Sequence, residues 1–181
     1  MKQTHAPLVK RTIAYIIDWY LGAIFASLPI VFIYSCTYND KTMISNLLTI
    51  SQKNATIAII AGVLSLLFAF FYYVFIPYKI WQGQTLGKHI MKIKIIQEDN
   101  ENITFSKLFL RQVIGLWLIE GAAISASATF RQLIEITSGQ SQIILYWQYV
   151  AYAITFVSCL LLIVKQKSLH DYFAKTDVIT Q

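Results

Sequence analysis

Four apolar runs organise this chain: residues 12–36, 55–78, 112–130 and 143–164. Each reaches the roughly 20 residues that a helix needs to cross about 30 Å of hydrocarbon. The second and fourth carry no charge, the first carries only Asp18, and the third only Glu120. Core helices of a water-soluble bundle would show polar faces at helical period, and these runs do not. Closed barrels are the other structure that satisfies its backbone inside lipid. Continuous apolar runs lack the in–out alternation of barrel strands. The pattern therefore predicts an all-α membrane protein, a four-transmembrane-helix bundle, with one domain over residues 6–178. Trp19, Tyr78, Trp81, Trp117 and Trp147 lie near several run ends, as interfacial aromatics do.

The longest connection, residues 79–111, breaks the apolar pattern. It opens with Gly83-Gln84-Thr85-Leu86-Gly87-Lys88. A phosphate-binding loop needs four residues between its glycines and Ser or Thr after the Lys; here there are three, and His89 follows. Lys92-Ile93-Lys94-Ile95-Ile96 alternates with period two and predicts a half-buried strand. Gln97 to Asn102 reads as a turn, and Ile103-Thr104-Phe105 as the returning strand. A short β-hairpin between the second and third helices is expected, with Ser106 capping a helix that begins around Lys107.

Composition agrees with lipid as part of the solvent. Of 181 residues 56% are hydrophobic and 13% charged, against about 25% charged in ordinary soluble domains. The net charge of +6 could suggest nucleic acid, but the bases flank the apolar runs and form no separate patch. Twelve Lys and Arg fall at the two ends and in the middle loop, against three in the other connections (Lys41, Lys53 and Arg131). The positive side is expected to be cytoplasmic, with both termini there, in a cell (plasma) membrane. The basic loop would face anionic lipid headgroups. Cys36 and Cys159 have no metal-ligand spacing and belong near opposite faces, so no disulfide is expected between them. Neither a metal cluster nor a catalytic set is legible, and no cofactor, metal or enzymatic activity is expected.

The acids inside the runs are the chemical anomalies. A carboxylate inside a span costs about 2.5–3.5 kcal/mol on insertion scales. Asp18 is about 10 Å into the first helix, and a partner from another helix or from the tail is expected for it. Glu120 lies nine residues beyond Arg111, about 180° around an ideal α-helix, so the two should face opposite ways. Glu120 then reads either as a station on an ion or proton path or as a neutral carboxyl donating one interhelical hydrogen bond. In the tail, Asp171 could reach Arg11 or Arg111, and His170 reads as a packed polar residue. The third run is rich in small residues, with Gly121, Ser125 and Thr129 four apart, which suits close helix packing or a homodimer seam.

Lys10-Arg11-x-x-Ala14-Tyr15-x-x-Asp18, Gln82-Gly83-Gln84-Thr85-Leu86-Gly87-Lys88, the Phe-Leu-Arg ending at Arg111, and Leu169-His170-Asp171-Tyr172-Phe173-Ala174-Lys175-Thr176 together resemble the RDD family of small bacterial and archaeal membrane proteins. Tyr172 and Lys175 depart from the family's usual Arg and Gly. The resemblance carries the family's named residues to Arg11, Asp18 and Asp171. It implies transport as a suspected activity, of sodium–proton exchange type in some members. Two functions follow as expectations: a transporter of a small cation using Asp18, with Glu120 as a second station, or a non-transporting accessory subunit of a partner membrane protein, with Arg11, Asp18 and Asp171 as a structural network.

Overall fold

The chain was described from a computed structural model, which covers residues 5–40 and 42–181. Lys2 and Lys41, both counted in the charge balance, lie outside the described residues. Helix α1 runs Leu8–Tyr38. A short α2, Leu47–Lys53, leads into α3, Ala55–Ile80. The middle loop holds α4, Leu86–Ile90, and β1, Ile93–Gln97. Helix α5, Phe105–Glu120, is followed by α6, Ser125–Ser138, at a bend of 63°. Helix α7 runs Ser141–Lys165, and the tail forms α8, Leu169–Ala174, and β2, Thr176–Thr180. Three helices, α1, α3 and α7, are long and apolar enough to cross a membrane. The bent pair α5–α6 makes a fourth span when taken as one broken helix. The third apolar run is thus interrupted rather than continuous.

The buried face of α1 explains why its sequence shows no polar stripe. Ala14, Asp18, Gly22, Ala26, Ile30 and Tyr34 recur every four residues and are buried. Ile16, Tyr20, Leu28 and Phe32 point outward. Small residues turned inward let backbones approach, and large apolar ones turned outward suit lipid. Gly22 is one such approach: a Cβ there would overlap the ring of Tyr73 on α3.

Two helices change winding where they near the site. The last ten residues of α3, Phe71–Ile80, and the last eleven of α5, Leu110–Glu120, are π-helical. Such i→i+5 stretches are rare and concentrate at functional sites. Pro77, which has no N–H to donate, lies within the first.

The strand expected at residues 92–96 is present, but its partner is not residues 103–105. β1 pairs antiparallel with β2, in register from Ile93 opposite Thr180 to Gln97 opposite Thr176. The expected hairpin survives as a single bridge between Ile96 and Asn102. Phe105 already begins α5, so Ser106 sits inside the helix and Thr104 takes the N-cap position. The tail offers β-branched Thr176, Val178, Ile179 and Thr180 for the pairing. Residues 103–105 instead lead into α5, with Ile103 packed in a cluster with Ala14, Val74 and Val178. Ala6 also donates its N–H to Val178 at 2.9 Å. The described start of the chain, the middle loop and the tail therefore meet in one layer, here called the sheet end.

Candidate functional site

Asp18 is 3% exposed, and its partner is the middle-loop motif. Oδ1 accepts from Tyr72 Oη at 2.8 Å and from the Gly87 N–H at 2.9 Å. Oδ2 accepts from Thr85 Oγ1 and from Lys88 Nζ, the latter at 3.1 Å. Tyr73 Oη donates to the Asp18 carbonyl at 2.9 Å. The motif residues have distinct tasks. Gly83 has φ +78 and lies against the Ile95 carbonyl, where a Cβ would collide. Gln84 donates to the Ile93 carbonyl at 2.8 Å, tying the loop to β1. Gly87 leaves room for its N–H to reach Asp18, since a Cβ there would lie 2.8 Å from Oδ1 and 2.5 Å from the Ala14 carbonyl. Burial pulls the Lys88 ammonium below its ordinary pKa, while Asp18 opposes that shift.

Asp171 forms a second centre, fully buried on α8. Arg11 donates to Oδ2 at 2.8 Å, and Arg111 Nε to Oδ1 at 2.9 Å. Of the two arginines that the sequence offered, the acid takes both. Ser168 forms a capping box with Asp171, its N–H donating to Oδ2 at 3.3 Å, and its Oγ lies 2.6 Å from the same oxygen. Arg11 also donates to the Gln166 carbonyl at 2.5 Å. Burial acts to raise the Asp171 carboxyl, yet Arg111, His170 and Arg11 hold it well below the usual carboxylate range. Arg11 therefore serves Asp171, and Asp18 belongs to a separate centre held by Lys88.

Glu120 has its partner on α8. Its Oε1 accepts the His170 backbone N–H at 2.6 Å, and Oε2 lies 2.8 Å from His170 Nδ1. Arg111 Nη2 lies 3.1 Å from His170 Nε2, and Ser168 Oγ lies 2.9 Å from the same nitrogen. The expectation that Arg111 and Glu120 face opposite ways fails for a definite reason. From i→i+3 to i→i+4 bonding the turn grows from 3.0 to 3.6 residues, so i→i+5 bonding gives roughly 4.3. Nine residues then make about two turns, and both side chains face α8. Gly115, between them, lets α8 come close: a Cβ there would lie 2.8 Å from His170 Cβ.

Residues 121–124 break the span just beyond Glu120. The loosened carbonyls find side-chain donors: Ser127 Oγ on Trp117 O at 2.6 Å, Trp147 Nε1 on Leu118 O at 3.2 Å, and Trp19 Nε1 on Ala123 O at 2.6 Å. Arg131, counted from sequence as a loop cation, is buried in α6 instead. Its Nη1 donates to Ser127 Oγ at 2.6 Å and Gly121 O at 3.3 Å.

Between the two acid centres lies a cavity of about 250 Å³, walled by α1, α5, α7 and the tail. Arg11, Asp18, Lys88, Arg111, Glu120 and His170 all reach it. Gln112, absent from the sequence reading, lines it too; it is 1% exposed, and its Oε1 is buried without a hydrogen-bond partner among the described residues. Tyr72, Tyr73 and Ser168 were also missed. The four-residue recurrence of small residues around Asp18 was the signal that could have located its buried face.

A family model described as the RDD family matches residues 5–175. No curated protein and no solved structure matches the chain.

Proposed function

The chain belongs to the RDD family, and from that premise we propose that it transports a small cation in exchange for protons, with Glu120 as the ion-carrying acid and His170 as its proton-holding partner. The observation that carries this reading is the placement of Glu120. It ends a π-wound half-helix at a break in an apolar span, and it faces the cavity. Discontinuous spans with an acid at the break are how membrane transporters build ion sites. Each carboxylate oxygen has two acceptor sites. His170 takes one on each oxygen of Glu120. A proton and a cation then compete for those that remain, which is what exchange requires. The 63° bend beside it is the hinge about which access would alternate.

In this reading Asp18 is not the central acid. Four donors already occupy its two oxygens. Asp18 and Asp171 are framework: one clamps the middle loop to α1, the other clamps the tail to α1 and α5. That saturation is the specific observation favouring the second reading, a non-transporting accessory subunit.

Flux decides between them. The protein is reconstituted into liposomes holding a pH-sensitive dye, and sodium and potassium gradients are imposed. The transporter reading expects proton flux that needs a cation gradient and disappears in Glu120→Gln. Silent liposomes, with protein shown to be folded and inserted, would hand the function to the accessory reading.

A further inference from the structure

A second cavity lies back to back with the one that holds Glu120. It is a groove of about 490 Å³ between α1 and α6, with Ser45 and Asn46 at its far end. Along α1 it runs from Tyr20 to Ile30, about 15 Å. Consecutive residues wall the two spaces. Trp19, Ala123 and Ile124 line the Glu120 cavity, and Tyr20 and Ser125 line the groove. The cavity reaches the sheet end through Arg11, Lys88 and Val178, while the groove runs to the connection between α1 and α2, at the opposite end. What parts them is the break, fastened to α1 by the Trp19 Nε1 hydrogen bond to Ala123 O at 2.6 Å. The groove suits water better than acyl chains. Ser27, Ser45, Asn46, Ser125, Thr129 and Gln132 line it, and among the described residues no charged one does. Gln132 Oε1 accepts the Leu47 N–H at 3.0 Å, and Asn46 Oδ1 accepts that of Leu48 at 2.9 Å. Each amide is left with its N–H donors, which have no protein acceptor among the described residues. Hydrocarbon supplies no acceptor, and water does. At about 30 Å³ per water, the groove has room for an ion with its hydration shell.

We propose that this groove is the second access path to Glu120, carrying protons and hydrated cations from the side opposite the sheet end, and that the break latched by Trp19 is the gate between groove and cavity. This rests on Glu120 being the ion-carrying acid, and it adds where the exchanged ions enter and leave. Exchange needs an acid that is reached from each side in turn, and the groove supplies the side that the cavity lacks. In this structure the gate is shut, because Glu120 faces the cavity and not the groove. Residues 121–124 belong to neither α5 nor α6, so they can leave Trp19 without unwinding either helix. That movement joins the groove to the cavity beside Glu120.

The test is thiol labelling with a positively charged, membrane-impermeant methanethiosulfonate, added to sealed membrane vesicles of the orientation that exposes Thr42→Cys, in the connection between α1 and α2. For the groove, Cys36 and Cys159 are replaced by Ser. Ser27→Cys and Ala128→Cys, on its two walls, are expected to label from that side. Leu28→Cys, next along α1 but turned outward to lipid, is expected not to. For the gate, only Cys36 is replaced, and Cys159, which lines the Glu120 cavity, is the reporter. From the same side Cys159 is expected to label slowly. With Trp19→Phe, or Trp19→Met should the first fail to fold, it is expected to label about fivefold faster, the population shift that one lost hydrogen bond gives. Unlabelled Ser27→Cys and Ala128→Cys, equal labelling of Leu28→Cys, or Cys159 labelling that is indifferent to Trp19 overturns the proposal. Cation-driven proton flux through Glu120 beside an unlabelled groove overturns this inference and spares the transport reading. A labelled groove with a Trp19-dependent gate, in protein without flux, supports the path and removes the transport reading.

Discussion

Asp18 and Asp171 are both carboxylates enclosed by donors, and the enclosure sets what each substitution does. Asp18→Asn presents an amide to Lys88, Tyr72, Thr85 and the Gly87 N–H, and leaves the ammonium without its counter-charge. Breaking a buried pair from one side costs about 3–5 kcal/mol. Thermal unfolding in detergent should show a loss of that order, and Asp18→Asn with Lys88→Met should cost less than the two changes added. Unchanged stability would return Asp18 to the transport role. Asp171 makes a pH prediction. Its folded pKa is depressed by Arg111, His170 and Arg11. An unfolded Asp titrates near 3.9, so the stabilisation is fully present above that pH and is lost as pH falls from there towards the folded value. Stability measured below about pH 4 should decline in the parent protein. That acid limb should flatten in Asp171→Asn, which starts less stable at neutral pH.

At the scale of elements, glycines set how closely the parts approach. Gly87→Ala puts a methyl against the Ala14 carbonyl and Asp18 Oδ1. Gly115→Ala puts one against His170 on α8. Overpacking of this kind costs about 1–3 kcal/mol. Both should lower the unfolding temperature. Gly115→Ala should also reduce any Glu120-dependent flux, because it pushes His170 away from Glu120. The strand pairing has its own test. With Cys36 and Cys159 replaced by Ser, Lys94→Cys with Ile179→Cys should cross-link under mild oxidation, since these positions are register partners. Lys94→Cys with Thr104→Cys should not. The reverse result would restore the hairpin between the second and third spans. That hairpin was the natural reading, because a strand, a polar turn and three β-prone residues follow one another. The competing partner lies some eighty residues away, and local pattern carries no information about which edge a strand will find.

Across the whole molecule, the tail holds the helices together at the sheet end. α8 binds α1 through Arg11 and α5 through Arg111 and Glu120, while β2 binds the middle loop. A chain ending at Lys175 keeps α8 and loses β2. It should expose β1 and be cut sooner by protease in residues 98–102, with the spans intact. The apolar runs announced a membrane protein with four spans, because the lipid solvent forces long apolar stretches; three are continuous helices and the fourth is the bent pair α5–α6. Arg11, Asp18, Glu120 and Asp171 stood out for the same reason, as charge beside or within those stretches. What each charge meets was not legible. Asp18 meets a loop sixty-nine residues on, at Gly87, and Asp171 joins two arginines from different helices. The phase of α5 was misread because an α-helical period was applied to a π-wound stretch. Gln112 was passed over because nothing in sequence marks an amide that will be buried beside a cavity. The sequence by itself determined the solvent, the number of apolar runs and the charges that need partners, since these follow from composition along a line. The pairing of those charges, the winding that aims them and the break in the third run were decided by tertiary structure, because they depend on which distant surfaces pack together.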